Sequence, residues 1–185
     1  MGCARHIAVC AVLVAALPAA WRGSADILYV WRASPTPLAP YATWATAAHA
    51  IQPSVDAAAA GDLILVTNDY YSAFGGEAWG SNVVVLAKAV TLESVGGSAR
   101  ISGVNNLRAV YMTNGAVLSG FRLQFGSIAY PGAGVFCDHG GLVTNCSIVN
   151  NHTSDDGGGA FLYYGGTLVD CSIMDNVAES SGGVF

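Results

Sequence analysis

Apolar and polar positions in the second half of this chain recur on a fixed ruler. Cys146, Ile148 and Asn151 return 25 residues later as Cys171, Ile173 and Asn176. Counting the same 25 backward, Phe121 stands where Cys146 does, Leu123 where Ile148 does, and Leu118 where Val143 does. Phe136 and Phe161 form a second column, which continues at Phe185 with one residue dropped. A period in this range marks stacked supersecondary units. Each unit reads as a short apolar run, a polar pair, a Gly-rich bend and another short apolar run. Cys146-Ser147-Ile148 and Cys171-Ser172-Ile173 alternate with the period of two that belongs to strands. No stretch in this region carries a helical stripe, so repeats built on helices fit poorly.

These features predict an all-β parallel β-helix, a solenoid of short strands joined by Gly and Asn turns. Residue i then sits over residue i+25 in the next coil, about 4.8 Å away. Identical residues become ladders of Cys, Ile and Asn, and each coil is stabilised by its neighbours alone.

The front half predicts how the solenoid starts. A first strand opens at Asp26, and a Pro-rich loop follows over 32–40. Thr43 or Thr46 can cap a helix over 43–59 whose apolar face holds Ala47, Ile51 and Val55, with Pro53 kinking or dividing it. Such a helix is expected to lie across the open end of the β-helix and block end-to-end association. Strands follow from residue 63 onward, interrupted by a long loop over 67–82. The division expected is a leader over 1–25, a strand and capping helix over 26–62, and β-helix rungs over 63–185. The last residues, Ser180 to Phe185, match Asp156 to Phe161, so a continuing chain or a covering partner is expected at the open rung.

Composition narrows this picture. Charged residues make up 10% of the chain, against about 25% in ordinary globular domains. A surface of backbone, Gly, Ser, Thr and Asn accommodates that, as a solenoid has. Arg5 and His6 precede an apolar run over 7–17 that is too short to span a bilayer, with small residues after it at plausible cleavage positions. A secretory leader, and hence a secreted or cell-surface protein, is the expectation. Beyond residue 25, five basic residues face twelve acids, a net charge of −7. With no basic cluster along the sequence, nucleic acid and anionic membrane surfaces are excluded as partners. An acidic polysaccharide would need a bound cation or one of the lone arginines.

The Gly-Gly…Phe and Cys-Ser-Ile-x-x-Asn pattern of 141–185 resembles the right-handed parallel β-helix repeats of bacterial surface and secreted proteins. Those are relatives of the pectin-lyase-like fold and of the polymorphic outer-membrane-protein repeats. The likeness extends over 27–185 and departs at Phe125-Gly126, which stand in the place of Asn150-Asn151, so the Asn ladder starts late. The resemblance implies an adhesive, glycan-contact or structural role for a longer protein of which this chain is an N-terminal fragment. The alternative it implies is the first part of a polysaccharide lyase or glycoside hydrolase, with Ca²⁺ as cofactor in the lyase case.

The most ligand-like segment is the 67–82 loop. Asp69, Tyr70, Tyr71 and Trp79 combine rings for a pyranose face with a carboxylate for its hydroxyls; the same rings can equally pack over the first rung. No active site stands out, and the catalytic candidates are Arg122, Asp155 and Asp170. Asp170 is expected on the outward side of its strand over Asn145, with Arg122 beneath Ser147, an Arg–Asn–Asp patch of roughly 10 Å. Asp138-His139 and Asp155-Asp156 fall at bends, where acids are commonly solvated turn formers. Asp155-Asp156-Gly-Gly-Gly lacks the alternating ligands of a Ca²⁺ loop, and no metal site is assigned. Three cysteines remain after the leader: Cys137, Cys146 and Cys171. Free buried thiols are favoured over a strained Cys146–Cys171 disulfide or a metal site with His139 or His152.

Overall fold

The computed structural model of the protein describes residues 24–113 and 115–185, and the expected leader falls almost wholly outside them. The chain winds as a parallel β-solenoid with three faces. The first face stacks Ile27–Val30, Leu63–Val66, Thr91–Ser94, Val117–Ser119, Leu142–Thr144 and Thr167–Val169. The second stacks Tyr70–Tyr71, Arg100–Ser102, Arg122–Gln124, Ser147–Val149 and Ser172–Met174. The third stacks Ser81–Leu86, Arg108–Thr113, Val135–Asp138 and Ala160–Tyr163, with Gly76–Glu77 antiparallel on its outer edge. A short pair, Ser127–Ile128 and His152–Thr153, spans the bend between faces two and three.

The 25-residue ruler is the register of these strands. Leu118 pairs with Val143 and Val143 with Leu168. Leu123 pairs with Ile148 and Ile148 with Ile173. Phe136 pairs with Phe161, and the Ala160–Val184 bridge sets Phe185 above it. Alternate residues turn inward, so Ile64, Leu92, Leu118 and Val143 form one column of a core that excludes water entirely. Leu86, Met112 and Cys137 form another on the third face. Every pairing between coils is parallel, and the strand order within each face follows the coils in turn.

Corners repeat as faithfully as strands. Gly120, Asn145 and Asp170 stack at the first corner with φ of 78°, 52° and 51°. Phe125, Asn150 and Asp175 stack at the second with φ of 54°, 54° and 55°. This is the left-handed region, which Gly, Asn and Asp enter at least cost. It places Asp170 at a corner rather than on the outward side of a strand, and Asn145 likewise, correcting both expectations.

The late start of the Asn ladder has a steric cause. A Cβ on Gly126 would sit 2.0 Å from the Ala133 carbonyl oxygen, so no Asn fits there. The Gly126 N–H is instead capped from the next coil, donating to Asn151 Oδ1 at 2.8 Å. Asn151 Nδ2 donates to Leu123 O at 3.2 Å, and Asn176 Nδ2 donates to Ile148 O at 2.8 Å one coil on.

The expected helix over 43–59 is two elements. Thr43 caps a 3-10 turn, Trp44–Thr46, in a reciprocal capping box with Thr46. An extended stretch follows, with Ala48 bridged to Val30, and the α-helix is Ile51–Ala57. Pro53 does not divide the helix. It lies in the first turn, where its missing N–H has no intrahelical acceptor to lose. Ile51 and Val55 are buried against the first coil. Gln52 does more: its Oε1 accepts from Val85 N at 2.8 Å and its Nε2 donates to Val85 O at 3.2 Å. One side-chain amide thus pairs with the strand Ser81–Leu86, beyond the stretch that Gly76–Glu77 covers, as a neighbouring strand would. No described helix is long and apolar enough to cross a membrane.

Candidate functional site

The third face carries aromatic rings on its outer side. Tyr111, Phe136, Phe161 and Phe185 occupy one column, with ring centroids 5.7, 5.2 and 5.2 Å apart in turn. An outward Phe is ordinarily wet, yet Phe136 is 1% exposed. Trp79 explains this. It lies 5.7 Å from Phe136, nearly parallel to it, as a lid over the column.

Trp79 is held there by Arg108, a cation with no exposed surface. Its Nη1 donates to Ala78 O and Asn82 Oδ1, its Nη2 to Trp79 O and Pro131 O, and its Nε to Gly132 O. The guanidinium carbon stands 5.1 Å from the Phe136 ring centre. Burial brings its pKa down to about 10. All its partners are neutral, so Arg108 is a clamp joining the 76–82 loop to Pro131 and Gly132.

Beyond the buried rings of Tyr111 and Phe136 the surface opens. Two residues further along the strand, Asp138 stacks beneath Tyr163. Tyr163 lies 5.7 Å from Trp79 and 4.2 Å from Tyr164, and His139 lies 5.0 Å from Tyr164. Trp79 and Tyr164 are 54% and 72% exposed, so this is an open surface. Asp138 is tied down at its margin: Tyr111 OH donates to its Oδ2 at 2.6 Å, and His139 Nδ1 meets its Oδ1. Burial first, and then the bond and charge of Asp138, push the Tyr111 phenol well above its ordinary value. Rings in a row with an anchored carboxylate and an imidazole beside them can stack on an apolar ring face and accept hydrogen bonds from hydroxyls around it.

The loop that suggested ligand contact is divided between two places. Trp79 goes to the third face. Asp69, Tyr70 and Tyr71 stay together on the second, beside a cleft of about 310 Å³ lined by Arg32, His49, Tyr70, Tyr71, Phe74 and Val83. Arg32 Nη1 donates to Tyr70 O at 2.6 Å and stands 3.6 Å from Asp69 Oδ1. Tyr71 turns inward and is 4% exposed, with its phenol raised by burial, so it is a core residue with one edge on the cleft. Tyr70 OH donates to Ser102 Oγ.

Arg122, Asp155 and Asp170 are not brought together. Arg122 lies on the second face, with its Nε on Gln124 Oε1 at 2.7 Å. Asp170 stands at the first corner two coils away, and Asp155 in the bend after Thr153 accepts the Asp156 N–H. Among the described residues, no group of three His, Cys, Asp or Glu side chains is arranged to hold a metal ion. Asp138 ends the strand Val135–Asp138 rather than falling at a bend, and His152 lies on the short strand His152–Thr153. Cys137, Cys146 and Cys171 are free thiols, and burial pushes Cys137 up to about 12 and Cys146 up to about 11.

One reading of charge also changes. The arginines that look isolated along the sequence include two in direct register, Arg100 and Arg122. Tyr163 and Tyr164 were not singled out in the sequence, although the ruler that found Phe136 and Phe161 also sets Tyr163 over Asp138. Trp79 had no such signal, since its position depends on an irregular loop and on Arg108. Comparison with protein-family models, with curated proteins and with solved structures found no match to this chain.

Proposed function

We propose that this protein is an exported solenoid that holds a carbohydrate against the exposed rings of Trp79 and Tyr164 and the half-buried ring of Tyr163 without breaking it. The observation that carries this reading is the ring surface itself. Its inner members are sealed by Trp79, its outer members stand open, and Asp138 is fixed by Tyr111 at its edge. Ordered rings lose little entropy on meeting a flat sugar face, and a tethered carboxylate is ready to accept from its hydroxyls. Export rests on the apolar leader expected before residue 26.

The test is retention of the purified protein on a panel of neutral and acidic polysaccharides, with and without chelator, recording release of new sugar ends in parallel. Binding to at least one neutral polysaccharide, weakened by Tyr164→Ala and by Trp79→Ala and without cleavage, is expected. Binding that ignores both substitutions would sink the reading. Release of sugar ends would move it to a lyase or hydrolase, with chelator sensitivity marking a Ca²⁺-dependent lyase.

A further inference from the structure

We propose that the second face carries a separate binding site, in which Arg100 and Arg122 hold the sulfate or carboxylate groups of a linear anionic glycan. The site goes beyond the ring surface and does not depend on it.

The argument begins with the register. Arg100 and Arg122 are paired residues of adjacent parallel strands, so their backbones are about 4.8 Å apart. Both side chains are exposed on the outer side of the face. Like charges placed directly side by side on a sheet repel and are ordinarily relieved by an acid between them. The chain has twelve acidic residues against seven basic ones, yet none lies within 4 Å of either guanidinium: among the described residues the ion pairs are Arg32–Asp69 and His139–Asp138. The Arg122 guanidinium is oriented by Gln124 through its Nε, leaving both terminal nitrogens without a partner among the described residues. Arg100 makes no side-chain hydrogen bond among them.

The column continues along the solenoid axis. Tyr70 precedes Arg100, with Arg32 at its backbone, while Ser147 and Ser172 follow Arg122. Two donor forks spaced like successive coils, then two hydroxyls at the same pitch, form a linear track. An extended glycan repeats its substituents on a comparable scale and offers hydroxyls to the serines. A guanidinium fork fits sulfate and carboxylate alike. Nucleic acid is the poorer fit, since its affinity comes from many neutralised phosphates and this track supplies two unpaired cations on a chain of net negative charge.

The test compares dextran, carboxymethyl-dextran and dextran sulfate, which share one backbone, by titration calorimetry against the purified protein. One or both charged polymers should bind and neutral dextran should not, the pair of charged polymers distinguishing carboxylate from sulfate. The double substitution Arg100→Ser and Arg122→Ser should weaken that binding by about tenfold or more. Serine already fills this column in the next two coils, so the fold accommodates it. If that variant loses its β-type circular dichroism, Arg122→Glu alone should give the same loss. Trp79→Ala should leave charged-dextran affinity unchanged, which separates this site from the ring surface. Equal binding of all three dextrans, charged-polymer binding unaltered in a folded arginine variant, or tighter binding of oligo-dT than of either charged dextran would each overturn the proposal.

Discussion

Asn176 Oδ1 accepts both the backbone N–H and the side-chain Nδ2–H of Asn151, the residue stacked beneath it, at 3.0 and 2.9 Å. Asn151 is 1% exposed and bonds the coil below as well, so it joins three consecutive coils at their second corner. Asn151→Ala strands the Gly126 N–H and removes the side-chain donor to the Leu123 carbonyl. It should cost about 3 kcal/mol in urea unfolding, each buried unsatisfied group being worth about 1–3 kcal/mol. Asn176→Ala, nearer the surface, should cost about 1 kcal/mol.

Extending the ladder backward should fail. Gly126→Asn adds a Cβ against the Ala133 carbonyl, and a backbone shift of that kind costs about 1–3 kcal/mol or more. A stabilised Gly126→Asn protein in the same unfolding assay would show that the corner yields more easily than its geometry implies.

The sequence carried the repeating part of this architecture because a solenoid writes its three-dimensional neighbours into a fixed spacing. Leu118, Val143 and Leu168 are adjacent in space because they are 25 residues apart. Where the spacing drifts, legibility fades. Ile64 and Leu92 pair across 28 residues and Ile101 and Leu123 across 22, so no ruler finds them. Arg100 and Arg122 looked isolated for that reason. Asp170 was misplaced for another: alternation alone does not reveal that the residue after Val169 leaves the strand in a left-handed conformation. Of the two caps the sequence offers, Thr43 and Thr46, Thr43 is the cap, but one turn follows it, because the chain at Ala48 is drawn into pairing with Val30.

Arg108 should prove structural rather than ligand-binding. Arg108→Met fills much of the volume but leaves the carbonyls of Trp79, Pro131 and Gly132 and the Asn82 Oδ1 without their donor. Stability should fall by about 3 kcal/mol or more, and Trp79 fluorescence should shift to the red as its loop comes loose. Arg108→Lys should rescue little, since an ammonium cannot reproduce the fork. Unchanged emission in Arg108→Met would mean that Trp79 is held by its ring contacts alone.

Stability should fall as pH rises from about 9 to 11. Cys137 and Cys146 keep their protons in the fold up to about 12 and about 11, against an ordinary value of 9.0. Above pH 9 the unfolded chain therefore releases protons that the folded chain retains, and unfolding is favoured. Their contribution is complete below pH 9 and is lost as pH climbs through the folded values. Cys137→Ala should flatten the slope of urea midpoint against pH, a comparison internal to each variant. An identical slope would place the pH dependence elsewhere.

The Gln52 amide gives the solenoid a direction. Its two bonds to Val85 present the first full coil with a neighbour that is already satisfied, although no strand stands there. At Val85 the near edge is therefore closed to another strand, while the far side stays open to further coils. During synthesis, which releases the amino end first, the helix and Val85 are available before most of the coils that follow, so a finished edge is there for them to stack against. A single glutamine in this sense finishes the edge at Val85, and the register of the later coils is carried by their own pairing.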